Sequence, residues 1–266
     1  MANSDIKQCR LTSKQQFDRQ AYQYDSVWNS WSRSSLDWIV SNTTATNDDR
    51  ILDIATGTGF TALAVAPFVR WVTAIDVSPG MLAEARKSAE SNGTRNIAFE
   101  EAAAESLPFD NEAFTKVTCR IAPHHFADPQ KFLDEAFRVL TAQGRLIIVD
   151  TTVPDNDEES STLQNKIELE RDGSHVRNYS PSEWNRMLRN AGFEILHCAA
   201  AEIGIAIPLE SWMQRAGCTD HQKCRIHTLL KAAPESFNKT FSVINEDGRC
   251  VSLTWQRIEI LATKTN

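Results

Sequence analysis

No apolar run in this 266-residue chain approaches the ~20 residues that a membrane span needs. A helical membrane protein is therefore not expected. Positive charge is also scarce: 28 Lys and Arg stand against 35 Asp and Glu, a net −7. Nucleic-acid binding draws on basic patches that neutralise phosphate, so no such partner is expected. Six cysteines occur, at Cys9, Cys119, Cys198, Cys218, Cys224 and Cys250, with no C-x-x-C pair and no His cluster at zinc spacing. No metal site is expected, and the thiols read as reduced, which fits the cytoplasm. The opening residues Met1-Ala2-Asn3-Ser4-Asp5 lack the apolar core of a signal peptide, which points the same way. Internal repeats and low-complexity segments are absent. What is present is ordinary for a soluble globular protein: 41% hydrophobic and 24% charged residues. The length allows one sizeable core, or one core with a small cap.

The chain is organised around Ile51-Leu52-Asp53-Ile54-Ala55-Thr56-Gly57-Thr58-Gly59. Apolar residues run up to Asp53, a turn of small residues follows, and Phe60 to Ala66 reads as a helix. Strand, glycine turn and helix form the first unit of a nucleotide-binding α/β sheet. Gly57 and Gly59 let a ligand approach the backbone, and the helix behind them offers unpaired N–H groups. Gly57-x-Gly59-x-x-Ala62 satisfies a loose dinucleotide fingerprint. Asp53 opposes that reading, because a carboxylate ahead of the turn repels a pyrophosphate. S-adenosylmethionine (SAM) carries no phosphate and bears an ammonium and a sulfonium, which Asp53 favours. Asp76, at the end of Trp71-Val72-Thr73-Ala74-Ile75, suits a ribose diol in either case.

Further along, strands and helices alternate. Residues 1–47 form a helical lead-in with Phe17, Ala21, Tyr22, Tyr24, Trp28, Trp31, Leu36 and Trp38 at helical spacing. Ser78-Pro79 and Asp128-Pro129 are N-cap and first-turn pairs, and Ser180-Pro181-Ser182-Glu183 is a capping box. Short strands are predicted at 96–100, 116–121, 145–150 and 193–198, with Gly144 stopping the helix ahead of 145. Residues 202–248 interrupt the sheet as a cap of two or three short helices. A single strand over 251–262 closes the fold. The expected architecture is one domain: an α/β doubly wound, seven-stranded, mostly parallel sheet with an antiparallel last strand. Its sheet core is 48–201 and 249–266, with the helical cap insertion at 202–248.

These features resemble the class I SAM-dependent methyltransferases over nearly the whole chain. The glycine turn, Asp76, Leu107-Pro108-Phe109, His124-His125-Phe126 and Arg138-Val139-Leu140-Thr141-Ala142-Gln143-Gly144 carry the resemblance. Within the class the chain is similar to the ubiquinone/menaquinone-biosynthesis type. More narrowly it resembles a subgroup with Arg120 to Phe126 in the form Arg-Ile-Ala-x-His-His-Phe and Arg171 to Arg177 in the form Arg-Asp-x-Ser-His-Val-Arg. The resemblance implies SAM as cofactor, with S-adenosylhomocysteine (SAH) as product. It implies cofactor contacts from Tyr24, Asp53, Ala55, Thr56, Gly57, Gly59, Asp76, Val77, Met81, Ala104, Glu105 and Arg120. Met81 stands where the family sets an apolar side chain against the adenine, and Glu105 or local backbone is expected at the adenine amino group. The family usually has glycine at the position of Ala55.

Methyl transfer needs a base only when the acceptor must lose a proton. His124 and His125 follow the fourth strand at its carboxyl end, where open α/β sheets place ligands. One of them is a candidate base; the alternative is that both cap or pack. His175 and Arg177 precede a capped helix and are further catalytic candidates, with Arg177 as a clamp for an acidic acceptor. The alternative for Arg177 is an ion pair with Asp150 or Glu168. Trp212 and Met213 are candidate lid residues. The expected pocket has Tyr24, His124, His125, Arg177 and Trp212 around it and SAM at its floor. A small-molecule acceptor is the expected partner, and a homodimer is left open. Two other function classes compete: an NAD(P)-dependent oxidoreductase, and a SAM-binding protein that transfers no methyl.

Overall fold

The structure, a computed structural model, describes residues 13–20, 31–202 and 206–265. Tyr24 and Trp28 lie outside the described residues. The lead-in supplies two helices, α1 (Ser13–Gln20) and α2 (Trp31–Thr43). Then come β1 (Arg50–Ile54), α3 (Phe60–Val65), β2 (Trp71–Asp76), α4 (Pro79–Ser91), β3 (Ile97–Glu101) and β4 (Phe114–Arg120). Strands β1 and β2 are buried at every position but the first, as central strands covered on both faces must be. The next elements are α5 (Pro129–Val139), β5 (Leu140–Thr152), α6 (Glu158–Arg171), α7 (Pro181–Asn190) and β6 (Phe193–Glu202). The chain ends with β7 (Ile207–Pro208), α8 (Leu209–Arg215), α9 (Asp220–Lys231), α10 (Glu235–Thr240), β8 (Ile244–Glu246), β9 (Arg249–Leu253) and β10 (Gln256–Lys264).

Seven strands form the main sheet in the order β3-β2-β1-β4-β5-β10-β6. Strand β10 runs antiparallel to both β5 and β6, and the other pairings are parallel. An NAD(P)-binding sheet has an all-parallel sixth strand in place of this crossing pair, so the topology removes the oxidoreductase alternative. The expected caps are present: the Ser78 and Asp128 side chains accept from Met81 N–H at 3.1 Å and Lys131 N–H at 3.0 Å. Ser180 and Glu183 form the reciprocal capping box. The Arg138 guanidinium donates to the carbonyls of Leu107 (3.0 Å) and Phe109 (2.7 Å) while pairing with Glu135. The Arg-x-Leu and Leu-Pro-Phe motifs are thus one clamp, which fixes the loop leading to β4.

Three expectations need correction. Gly144 does not stop a helix: α5 ends at Val139, and Leu140 already pairs with Phe114 in β5. The segment 251–262 is two strands, broken at Thr254-Trp255. Trp255 turns inward against Trp212 and Phe241, with ring centroids 5.4 and 5.3 Å apart. Consequently β9 joins a three-stranded sheet, β7-β9-β8, which together with α8, α9 and α10 makes up the cap. The boundary at 249 therefore moves to the break before β10, and the cap is not purely helical. The cap has its own apolar core, built around Trp212, Met213, Phe237, Phe241, Leu253 and Trp255 and reaching Ile167 of α6.

Candidate functional site

A cavity opens at the carboxyl ends of β1, β2 and β4. The glycine turn forms one wall. Gly57 has φ +56°, and a Cβ there would meet nothing within 4 Å, so space lies open in front of the backbone. Gly59 has φ +90° and plays a different part: a Cβ there would stand 3.2 Å from Ala85 Cβ, so it lets α3 and α4 pack. Ala55 also adopts a left-handed φ, +53°. This backbone explains why glycine suits that position, since an L-residue costs roughly 1–2 kcal/mol there. Ile121, after β4, is likewise at φ +53° on the cavity edge, held by its N–H to Val149 O at 2.7 Å.

The two predicted acids divide. Asp76 lines the cavity and accepts from Gly57 N–H and Ser78 N–H, both at 2.9 Å. Burial raises its pKa against the pull of these donors. Asp53 does not line the cavity: it is 1% exposed and accepts from the Thr56 and Thr118 hydroxyls at 2.6 and 2.7 Å. Burial lifts its pKa to about 6. Asp53 therefore ties the turn to β4. Thr56, Val77, Met81, Ala104, Glu105 and Arg120 line the cavity with Ala55 and Gly57, and Gly59 sits behind. Glu105 accepts from Ala127 N–H at 3.1 Å, and Arg120 donates to Thr61 Oγ1 at 3.1 Å. Helix α1 closes one side with Ser13 and Phe17. It is fastened by Asp18, which accepts from Ser78 Oγ (2.5 Å) and Gly80 N–H (3.1 Å). Sequence reading did not single out Asp18, Thr58 or Phe60; nothing in their local pattern marks a cavity wall.

The histidines form the far wall. A short 3-10 turn, Pro123–His125, follows β4. Only His125 of the three candidate histidines lines the cavity, with the Phe17 ring edge-on at 5.0 Å. His124 lies behind it, ring centroids 4.1 Å apart, bound through Nδ1 to Asp150 at 2.6 Å. Burial opposes charge on His124, but Asp150 outweighs it and the pKa rises. Burial and then the charge on His124 push His125 down to about 3. His175 is buried and bonds Asn165 Oδ1 at 3.0 Å, away from the cavity. Arg177 points outward, pairing with Glu183 at 2.6 Å rather than with Asp150 or Glu168. Asp150 is taken by His124, and Glu168 by Arg171. Trp212 and Met213 are buried in the cap core and are not a lid. The expected pocket thus keeps His125 and loses His124, Arg177 and Trp212. Among the described residues no His/Cys/Asp/Glu cluster could hold a metal, and no helix is long and apolar enough to cross a membrane.

The sheet order with its antiparallel β10, the open glycine turn and Asp76 at the end of β2 define a class I SAM-dependent methyltransferase. The comparisons agree. A family model described as a methyltransferase domain matches residues 45–192, and the chain belongs to that family. An uncharacterized methyltransferase of Bacillus subtilis, YcgJ, is 31% identical over 255 residues, 96% of this chain and all of that protein. Its crystal structure matches with a TM-score of 0.82 at 32% identity, over 88% of this chain and 99% of that one. A candidate methyltransferase of Bacillus halodurans C-125 matches with a TM-score of 0.83 at 36% identity, over 88% and 100%. The demethylmenaquinone methyltransferase of Thermus thermophilus is 41% identical over 127 residues, 47% of this chain and 55% of that protein.

Proposed function

We propose that this methyltransferase acts on a small-molecule acceptor seated against His125. The observation that carries this reading is that one cavity is bounded by the glycine turn and Asp76 on one side and by His125 on the other. The residues fit SAM. Open space faces Gly57. Asp76 and Glu105 give the wall a negative balance against Arg120, which suits a cationic sulfonium and ammonium. Asp76 would hold the ribose hydroxyls, with Met81 and Ala104 against the adenine. When bound, SAM supplies an electrophilic methyl group on sulfur. The chain's part is to align the acceptor and exclude water, with α1 and Phe17 as cover. We further propose that the chain forms a homodimer and works in the cytoplasm, which light scattering and cell fractionation test.

Calorimetry with SAM and SAH tests the cofactor half. SAH formation from SAM with a panel of small acceptors tests the other half. Tight SAH binding with no acceptor-dependent SAH formation across hydroxyl, amine, thiol and carbon acceptors would favour a SAM-binding protein without transfer.

A further inference from the structure

The histidine wall has a second layer that the methyl-transfer reading leaves unused. The segment after α6 brings Asp172 and Ser174 behind His125, both buried and off the cavity wall. Ser174 Oγ lies 2.7 Å from Asp172 Oδ1 and 3.1 Å from His125 Nδ1. Asp172 Oδ1 also accepts the Ser174 N–H at 2.9 Å. An ionised carboxylate only accepts, and a serine hydroxyl has one proton to give. Burial opposes ionisation of Asp172, but its Oδ1 takes both Ser174 donors and the Arg171 charge lies near, so the carboxylate form is the one this geometry fits. The Ser174 proton therefore points at Asp172. What Ser174 offers His125 is a lone pair, so His125 Nδ1 carries the hydrogen. His124 is already held on Asp150 beside it and opposes a second proton on the His125 ring.

We propose that Asp172 and Ser174 are positioning residues that fix His125 as the tautomer with a bare Nε2, and that the acceptor is an uncharged molecule presenting an O–H or N–H to that nitrogen. This rests on the methyl-transfer reading and deepens it. An anionic acceptor is disfavoured by charge: Arg177 is turned out to Glu183, and Arg120, the one Lys or Arg on the cavity wall among the described residues, is outnumbered there by Asp76 and Glu105. The proton balance also works for a weak base. The acceptor lone pair forms the bond to the methyl carbon, and the carbon–sulfur pair stays on sulfur to leave SAH. Positive charge developing on the acceptor atom acidifies its O–H or N–H. That bond breaks late, its electron pair staying on the acceptor and its proton passing to Nε2.

The test uses the full chain labelled with 15N-histidine and saturated with SAH, read by long-range proton–nitrogen correlation. His125→Gln identifies the signals by their loss. The expected result is a protonated Nδ1 and a bare Nε2 on His125, a mixture of tautomers in Ser174→Ala and in Asp172→Ala, and recovery in Ser174→Thr. A wild-type His125 protonated at Nε2, or a tautomer unmoved in both variants, overturns the positioning role. Once the panel yields an acceptor, Ser174→Ala should lower kcat roughly tenfold or more, with the KM for SAM unchanged and Ser174→Thr restoring the rate. An acceptor that is a thiolate, a carboxylate or a carbanion overturns the substrate class. The tautomer is read without turnover, and SAH binding is measured separately. Failure of this proposal is thereby told apart from failure of the methyl-transfer reading.

Discussion

The two walls of the cavity are built in opposite ways. The turn wall comes from one stretch, 55–60, plus the end of β2 and the start of α4. Its geometry is set by backbone: left-handed residues at 55, 57 and 59, and two buried acids that accept from the turn. The histidine wall is assembled from distant parts of the chain. His124 and His125 follow β4, Asp150 comes from β5, and Asp172 and Ser174 come from the segment after α6. A backbone-made site tolerates variation in side chains and fails when a backbone angle is lost. A side-chain network fails one hydrogen bond at a time.

The largest effect expected is therefore on the turn wall. Gly57→Val puts a β-branched residue at φ +56° and fills the open space in front of the turn. SAH affinity should fall by roughly 100-fold or more, with the circular dichroism spectrum unchanged. Affinity within a few-fold of wild type would mean that the turn does not cradle the ligand. Next in size is Asp76→Ala. It removes a carboxylate from the cavity wall and orphans two N–H groups, and should weaken SAH about tenfold or more. A change under twofold would move the ribose elsewhere.

The same contrast explains what could be read from sequence. The sheet, the three caps and most of the turn wall were legible because their signals are local: alternating apolar strands, N-cap residues and glycine spacing. Asp53 was identified as a contributor, but its role was not, because whether a buried acid faces a ligand or two threonines depends on Thr118 in a neighbouring strand. On the other wall, the motif from Arg171 to Arg177 was noticed and its weight misplaced. His175 and Arg177 stand out as reactive residue types, whereas Ser174 is the one that reaches His125, with Asp172 behind it on the Ser174 hydroxyl. Nothing local distinguishes them, since the 3-10 turn after β4 decides which histidine they meet. Trp212 is misplaced as a lid for a related reason. Two tryptophans that pack on each other across 43 positions of chain give the cap a core, and a hydrophobicity pattern cannot separate that from a lid.

Asp53 also gives a pH test of the turn wall. Its folded pKa of about 6 lies above the ~3.9 of an unfolded aspartate. A raised acid binds its proton more tightly in the folded state. Its contribution to stability is therefore full below about pH 4, falls as pH rises to about 6, and is flat above. Asp53→Asn does not titrate. Thermal or urea denaturation should show the variant gaining on wild type between pH 4 and 7, by up to ~3 kcal/mol. A difference that is constant with pH would mean that Asp53 is solvated in the folded protein.

The smallest effect marks where the histidine wall ends. Arg177 has a half-exposed side chain, pairs with Glu183 at 2.6 Å and lies over the Tyr179 ring at 5.2 Å. An exposed ion pair contributes roughly 0.2–1 kcal/mol, because water screens the charges and two long side chains lose freedom. The backbone N–H of Arg177 reaches His124 O at 3.1 Å, and that contact survives any side-chain change except proline. Arg177→Ala should therefore leave the His125 tautomer unchanged, alter SAH affinity less than twofold and lower stability by under ~1 kcal/mol. Once an acceptor is found, its KM should also be unmoved. A rise of tenfold or more in that KM, with stability intact, would show that Arg177 swings inward onto a bound acceptor. The histidine wall would then extend three residues beyond Ser174, and an anionic acceptor would return to consideration.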